Sequence, residues 1–143
     1  MVIEKPLGYN YNIGQAIEIG IDSPDFQYKL APFTLTSLPR EAYLELMIKV
    51  YSMHNGLTLA LSKLEVHDQV VITEAWDSYK YQGNGTFIAG GSGITPFIPM
   101  IRELLEKNAI KNHSLIHANR KSKDMILVKE LEKALDGSYF KIL

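Results

Sequence analysis

The chain has 143 residues, 46% of them hydrophobic and 22% charged, enough for one ordinary globular domain or two small ones. Its formal net charge of −1 argues against a nucleic-acid-binding surface, and the sequence has no cysteine for disulfides, thiolate metal sites or iron–sulfur clusters. No apolar run approaches a membrane span and no signal-peptide pattern begins the sequence, so we expect a cytoplasmic protein that has no membrane span and binds no nucleic acid.

Residues 1–84 have the patterns of short β-strands. Alternating apolar residues predict a half-buried strand over 15–21, and a strand over 33–37 lies between Pro32 and Pro39, which favours an edge position. Further strands are predicted over 44–51 and 69–73, with a turn at 54–56 and a short helix over 58–64 between them. Short strands separated by turns indicate an antiparallel β-barrel or sandwich.

Residues 85–143 alternate between strand and helix patterns. Strands are predicted over 86–89, 114–118 and 139–143. One helix is predicted over 95–107, capped by Thr95 and begun by Pro96; a second is capped by Ser122 and closed by Gly137. This βαβαβ order is typical of a doubly wound parallel sheet. The predicted fold class is therefore two-part α/β: an antiparallel β-barrel domain over 1–84 followed by a partial nucleotide-binding domain over 85–143.

A glycine-rich loop, in the sequence TFIAGGSGITPF, joins the first of these strands to the first helix. Such a loop lets backbone N–H groups approach an anion, and the helix N-terminus adds partial positive charge. Its spacing is not the dinucleotide pattern G-x-G-x-x-G, because Pro96 stands at the third glycine position, and no Walker lysine follows. Alone, the stretch fits either a phosphate-bearing ligand or a tight turn without a ligand.

Two histidines, His113 and His117, have the four-residue spacing that binds a metal when it occurs on a helix. We place them on or beside a strand, where four residues span about 13 Å. At that separation they cannot chelate one ion, so the sequence predicts no metal site.

Three motifs extend over nearly the whole chain: APFTLTS at 31–37, IKVY at 48–51 with GLT at 56–58, and AGGSGITP at 89–96. Together, and in this order, they resemble the ferredoxin–NADP reductase family, in particular its bacterial flavodoxin-reductase-like members. The first is similar to the family's Arg-x-Tyr/Phe-Ser/Thr flavin motif, and the second to the strand and turn that hold the flavin pyrophosphate. The third is similar to its Gly-Gly-x-Gly-x-Thr-Pro pyridine-nucleotide loop.

The resemblance implies a flavin-dependent oxidoreductase that transfers hydride from NAD(P)H to FAD, or FMN. Electrons would then pass to a small acceptor, such as flavodoxin, ferredoxin or a small molecule. The implied flavin-binding residues are Pro32, Phe33, Thr34, Ser37, Ile48, Lys49, Tyr51, Gly56 and Thr58. The implied nucleotide-binding residues are Gly90, Gly91, Gly93, Thr95, Pro96, Asn119 and Arg120. No catalytic acid or base is assigned, because the cofactors carry the chemistry.

Several of these residues also have a simpler alternative role. Phe33 would stack on the flavin or pack in the core, and Lys49 would face a phosphate or only solvent. Thr58 would bind a phosphate or only cap a helix. Residues 119–121 are polar or basic where a carboxylate would favour NAD, which favours NADPH over NADH; the alternative is a solvated basic loop.

The sequence also departs from the family pattern. Ala31 stands where the family has an arginine, so the choice between FAD and FMN stays open. Lys29 is the nearby cation, two residues away. The resemblance implies that the family's first strand would precede Met1 and that its Cys-Gly-Pro-Pro segment would follow Leu143. Two alternatives therefore stay open: a non-catalytic module that keeps the fold, and a subunit that acts only with a partner chain.

Overall fold

The computed structural model describes residues 1–26, 29–51 and 55–143. The first part of the chain contains antiparallel strands and a short helix, α1 (Leu57–Leu61). Its strands are β1 (Val2–Glu4), β2 (Ala16–Ile21), β3 (Ala31–Thr34), β4 (Tyr43–Glu45) and β5 (Val70–Ile72). The predicted turn at 54–56 includes His54, which lies outside the described residues.

Two small antiparallel sheets make up this part. Strand β2 lies between β3 and β5, whereas β1 pairs with β4. The bridge between Leu35 and Leu46 connects the two sheets. Ile17 and Ile19 of β2 are completely buried and form the core with these two leucines. Strand β3 lies at the edge of its sheet, as predicted, but it covers Ala31–Thr34 and not 33–37, so Pro32 lies within it, which an edge position allows.

The second part is the predicted βαβαβ unit. Its strands β6 (Gly85–Gly90), β7 (His113–Ala118) and β8 (Tyr139–Ile142) form a parallel sheet in that order. Helices α2 (Phe97–Glu106) and α3 (Val128–Leu135) pack on one face of it. Ile98, Leu115 and Leu131 are almost completely buried between helices and sheet. Among the described residues, no helix has the length and apolar character needed to cross a bilayer.

The strand predicted over 44–51 is too long. Strand β4 ends at Glu45, and after the Leu46 bridge residues 47–50 belong to no helix or strand. Leu44 and Leu46 lie in the core of the first part, whereas Met47 packs against the core of the second. The segment leaves the sheet because its side chains are divided between two cores.

The predicted helix starts also need correction. Thr95 does not cap α2, which begins at Phe97, because its hydroxyl donates to the Ser92 carbonyl at the end of a 3-10 turn. Ser122 does not cap α3: it begins a separate 3-10 turn, and α3 starts at Val128. Extended backbone at Met125 separates this turn from α3. Local competing turns therefore account for both errors.

Gly14 lies at a close backbone approach within the first part, next to a side chain of α2. The Tyr79 N–H donates to the Gly14 carbonyl at 3.0 Å, and Gly14 has φ of +90°. A Cβ at this position would lie 2.2 Å from the Tyr79 carbonyl oxygen and 2.9 Å from Cε of Met100 in α2. Glycine is therefore required here by both conformation and space.

Arg102 of α2 connects both parts of the chain. Its Nη1 donates to Oε2 of Glu45 at 2.7 Å and to the carbonyl of Thr36 at 3.0 Å, while its Nε donates to Glu130 of α3 at 2.8 Å. The Thr36 hydroxyl donates to the same Glu45 oxygen at 2.8 Å. Burial opposes ionisation of Glu45, but the hydrogen bonds from Arg102 and Thr36 lower its pKa below the ordinary value of 4.5.

We expect Glu45→Gln to lower the free energy of unfolding by about 1.5–3 kcal/mol at pH 7, because charge-assisted hydrogen bonds to a partly buried arginine are lost. A lowered carboxyl pKa stabilises the fold above its ordinary value, and this stabilisation disappears as pH falls through the folded-state pKa. The difference between the two proteins in urea unfolding should therefore shrink below pH 4.5.

The matched control is Glu106→Gln. Glu106 lies on α2, the helix that carries Arg102, and its exposed carboxylate pairs with Arg40. Exposed ion pairs contribute little, so this variant should lose less than about 1 kcal/mol. An equal loss in both variants would contradict a special role for Glu45.

Candidate functional site

The glycine-rich loop follows β6 and leads into α2. Residues Gly91–Ile94 form a 3-10 turn, and both the N–H and the hydroxyl of Thr95 donate to the Ser92 carbonyl at 3.1 Å. Ile94 is completely buried and Pro96 is also buried, so the loop is anchored from the protein side.

The three glycines of the loop differ in what the fold requires of them. Gly91 has φ of +53°, a left-handed conformation that favours glycine. A Cβ at Gly90 or Gly93 would meet no atom of the described residues within 4 Å, and neither glycine has a left-handed φ. Packing within the chain does not require glycine at these two positions. The space left open suits the close approach of an anionic ligand to the backbone.

A cavity of about 300 Å³ lies between this loop and residues 47–50. Ile48 and Lys49 line it from one side, and Gly91, Thr95 and Asn119 line it from the other. These residues came from separate sequence predictions, one for flavin and one for pyridine nucleotide. The fold brings them together at one cavity.

The charge around the cavity is positive. Among the described residues that line it, Lys49 and Lys123 carry positive charge and Asp124 carries negative charge, so two minus one leaves a net +1. Lysines on opposite walls suit an anionic ligand such as a pyrophosphate. Six of the lining residues had no role predicted from the sequence: Met47, Val50, Ser92, Lys123, Asp124 and Ile126. Lys123 had a signal, since it follows the basic residues after β7.

A larger cleft of about 1040 Å³ lies on the other side of residues 48–50. Ile48, Val50 and Thr58 line this cleft, together with residues of β1 and β5. The Thr58 hydroxyl lies 3.5 Å from the Tyr51 N–H. The segment 48–50 therefore separates the cleft from the cavity, and the predicted pyrophosphate-binding residues lie along it.

Gly56, Tyr51 and Lys49 lie at the exposed end of this segment. Gly56 has extended backbone and directly precedes α1, where a Cβ would meet no described atom within 4 Å. Tyr51 is about half exposed, and the Lys49 Nζ lies 5.9 Å from the centre of its ring. Both side chains are accessible to a ligand.

The predicted flavin motif lies on and after β3. Phe33 is half-buried and packs on the core beside Ile17, its partner across the sheet. Thr34 is also half-buried, and Pro32 is exposed. Lys29, two residues before Ala31 in the sequence, has its Nζ 5.1 Å from the centre of the Phe26 ring.

Ser37 has a different environment from the rest of the motif. It is completely buried, and its hydroxyl lies 2.8 Å from the Tyr11 hydroxyl and accepts the Glu45 N–H at 3.0 Å. These bonds connect Ser37 to the same glutamate that contacts Arg102. In this structure the Ser37 hydroxyl is used within the protein.

The carboxyl end of β7 carries Asn119 and Arg120. The Asn119 N–H donates to the Ile142 carbonyl of β8 at 2.9 Å, and its side chain lines the cavity. Arg120 is exposed and does not line the cavity, where Lys123 is the described cation on that side.

Both histidines of β7 are buried, and both lie on the strand as predicted. His113 Nε2 lies 2.7 Å from the Tyr81 hydroxyl. His117 lies below the glycine loop, with Nε2 3.2 Å from the Gly91 carbonyl and Nδ1 3.1 Å from the Tyr139 hydroxyl. Burial lowers the pKa of His117, although the bond to Gly91 opposes this. Its link to the loop is a tertiary contact with no signal in the sequence.

The chain is similar in sequence to known oxidoreductases. Residues 87–139 match the model of the oxidoreductase NAD-binding domain. NADH-cytochrome b5 reductase 1 of Eremothecium gossypii is 30% identical over 99% of this chain and 50% of that protein. The enzyme of the same name from Kluyveromyces lactis is 31% identical over 84% of this chain and 44% of that protein. The chain spans about half the length of the curated relatives it matches.

Solved structures share the fold. Ferredoxin-NADP+ reductase of Plasmodium falciparum, in a mutant form with 2'P-AMP, has a TM-score of 0.80 at 18% identity, over 99% of this chain and 63% of that one. The cytochrome b5 reductase domain of Ulva prolifera nitrate reductase has a TM-score of 0.74 at 21% identity, over 96% and 62%. Sequence motifs, domain match and fold agree: the chain carries an oxidoreductase NAD-binding domain of the ferredoxin–NADP reductase-like kind.

Proposed function

We propose that the chain binds a flavin along residues 48–51 and a pyridine nucleotide over the loop at 90–96, for hydride transfer from NAD(P)H to the flavin. A bound flavin would supply the redox chemistry, by accepting hydride from the nicotinamide. The chain's own task is to hold two cofactors close together and to exclude competing reactions. No side chain is required to transfer a proton in the hydride step.

The observation that carries this proposal is the shared cavity. The cavity is lined by Ile48 and Lys49 from the predicted pyrophosphate-binding segment and by Gly91 and Thr95 from the nucleotide loop. Hydride transfer requires the two cofactors to be bound next to each other, and two distant sites would not support it.

The flavin residues divide into two groups. Lys49 lines the cavity and Thr58 lines the cleft, so we assign both, with Gly56 before α1, to the flavin phosphates. We assign Pro32, Phe33 and Thr34 to the ring, with Phe33 also serving the core. Ser37 supports the motif from behind, because its buried hydroxyl bonds to Tyr11 and Glu45. Of FAD and FMN we favour FAD, since the segment 48–51 offers a long bordering wall.

The nucleotide residues favour NADPH. Arg120 and Lys121 are exposed after β7, and Lys123 lines the cavity, so cations are available for a 2′-phosphate. Asn119 would contribute its amide, and Gly90, Gly91, Gly93 and Thr95 the loop backbone. Both fungal relatives are named as NADH-cytochrome b5 reductases, which makes a direct comparison of the two coenzymes informative.

For the final acceptor we favour a small haem protein of the cytochrome b5 kind. The named activity of the yeast relatives supports this choice over the flavodoxin or ferredoxin expected from the motifs. A second candidate function, a module that keeps the fold without redox activity, is favoured by Ala31 in place of the motif arginine.

The visible spectrum of the purified chain, reconstituted with FAD, separates these two functions. We expect bound flavin whose visible band bleaches under anaerobic addition of NADPH, at lower concentrations than of NADH, because cations surround the 2′-phosphate position. Dithionite is the control, since it reduces flavin without a nucleotide site. Failure to retain FAD or FMN in excess would refute the reductase proposal and support the non-redox module.

Gly93→Ala should weaken NADP+ binding about tenfold, because the added methyl group occupies the space through which a phosphate reaches the loop. Its free energy of unfolding should change by less than about 1 kcal/mol, since the methyl group meets no described atom within 4 Å. Calorimetric titration and urea unfolding measure the two effects.

Gly14→Ala is the matched control and should show the reverse pattern. Left-handed φ and contact with Tyr79 should cost about 2–4 kcal/mol of stability. Nucleotide affinity, measured where the variant is folded, should stay within about twofold. Unchanged NADP+ affinity in Gly93→Ala would contradict the assignment of this loop.

A further inference from the structure

His117 connects three elements directly below the nucleotide loop. It is completely buried on β7, and its two ring nitrogens reach the Gly91 carbonyl on one side and the Tyr139 hydroxyl of β8 on the other. One end of the Asn119 side-chain amide lies 2.9 Å from Nε2. Packing alone would be satisfied by an apolar ring, so these polar contacts are the distinctive feature of the site.

The partners assign the proton on the ring. The Gly91 carbonyl only accepts hydrogen bonds and, unlike the Asn119 amide, cannot turn to present a donor, so its bond to Nε2 requires the hydrogen on that nitrogen. Burial keeps the pKa of His117 below its ordinary value, so the ring is neutral at pH 7 and Nδ1 is an acceptor. Burial, with a smaller effect of Glu132, raises the pKa of Tyr139, whose protonated hydroxyl donates to Nδ1.

The same proton orients Asn119. Nδ2 of Asn119 lies 2.9 Å from Nε2, where two donors would face each other, so an N–H on Nε2 requires the amide to turn until its oxygen faces the ring. The amide nitrogen then takes the other end of the group, which lies 3.8 Å from the position of a Cβ on Gly91. Because Asn119 lines the cavity, its N–H groups are directed to the nucleotide side of the loop.

We propose that His117 is a positioning residue for the pyridine nucleotide: its Nε2–H holds the Gly91 carbonyl below the loop and turns the Asn119 amide so that donors face the ligand. This inference rests on the proposed function, since the ligand is the nucleotide assigned there. It adds a residue that touches neither cofactor and a defined tautomer.

The first test measures the tautomer of His117 in the wild-type protein. In ¹⁵N-histidine-labelled protein, long-range ¹H–¹⁵N spectra at pH 7 should show His117 protonated at Nε2 and unprotonated at Nδ1, with the signal assigned by its loss in His117→Gln. The opposite tautomer would place a lone pair against the Gly91 carbonyl and would overturn the proposal.

The second test measures NADP+ affinity in the FAD-reconstituted chain. His117→Phe keeps a ring but removes the donor, and should weaken binding about tenfold, the usual effect of one lost hydrogen bond in a positioning network. His117→Gln keeps an N–H where Nε2 stands and should restore affinity to within about threefold of wild type. FAD affinity should be the same in all three proteins.

Three outcomes are distinguishable. Wild-type affinity in His117→Phe, or an equal loss in both variants, overturns the positioning role while the proposed function stands. Absence of NADP+ binding by the wild-type protein overturns the proposed function and this inference together. Should His117→Phe fail to fold, the tautomer measurement still decides.

Discussion

The guanidinium of Arg102 holds together two parts of the chain that have separate hydrophobic cores. It extends from α2 to Glu45 and Thr36 in the first part, and also to Glu130 of α3. With only a quarter of its side chain exposed, it is better shielded from salt and water than an ordinary surface ion pair. The cavity has one wall from each part, so its shape depends on this contact.

Around that contact, the site combines a fixed framework with open backbone. Ile94 anchors the loop from below, whereas Gly90 and Gly93 leave empty space above it. Residues 47–50 leave their sheet to form the opposite wall, because Met47 packs on the second core. This departure from regular structure brings the predicted pyrophosphate-binding segment next to the nucleotide loop. Lys49 and Lys123 make the cavity between them suitable for phosphates.

Local patterns predicted the parallel βαβαβ unit, the edge position of β3 and the residues of the glycine loop. Turn chemistry limited the helix starts, since Thr95 and Ser122 both enter 3-10 turns that compete with capping. Tertiary contacts were out of reach: nothing near Arg102 in sequence indicates Glu45, and His117 reads as an ordinary strand residue. The burial of Ser37 follows from its partner Tyr11, twenty-six residues earlier.

The central claim is that one cavity receives two cofactors, and backbone amide NMR tests it most directly. FAD and NADP+ are added separately to ¹⁵N-labelled protein, and the shifted amides are mapped. The account predicts that FAD shifts residues 48–51 and Thr58, that NADP+ shifts residues 90–95 and Asn119, and that Lys49 and Gly91 respond to both. Two sets of shifted amides with no residue in common would contradict it.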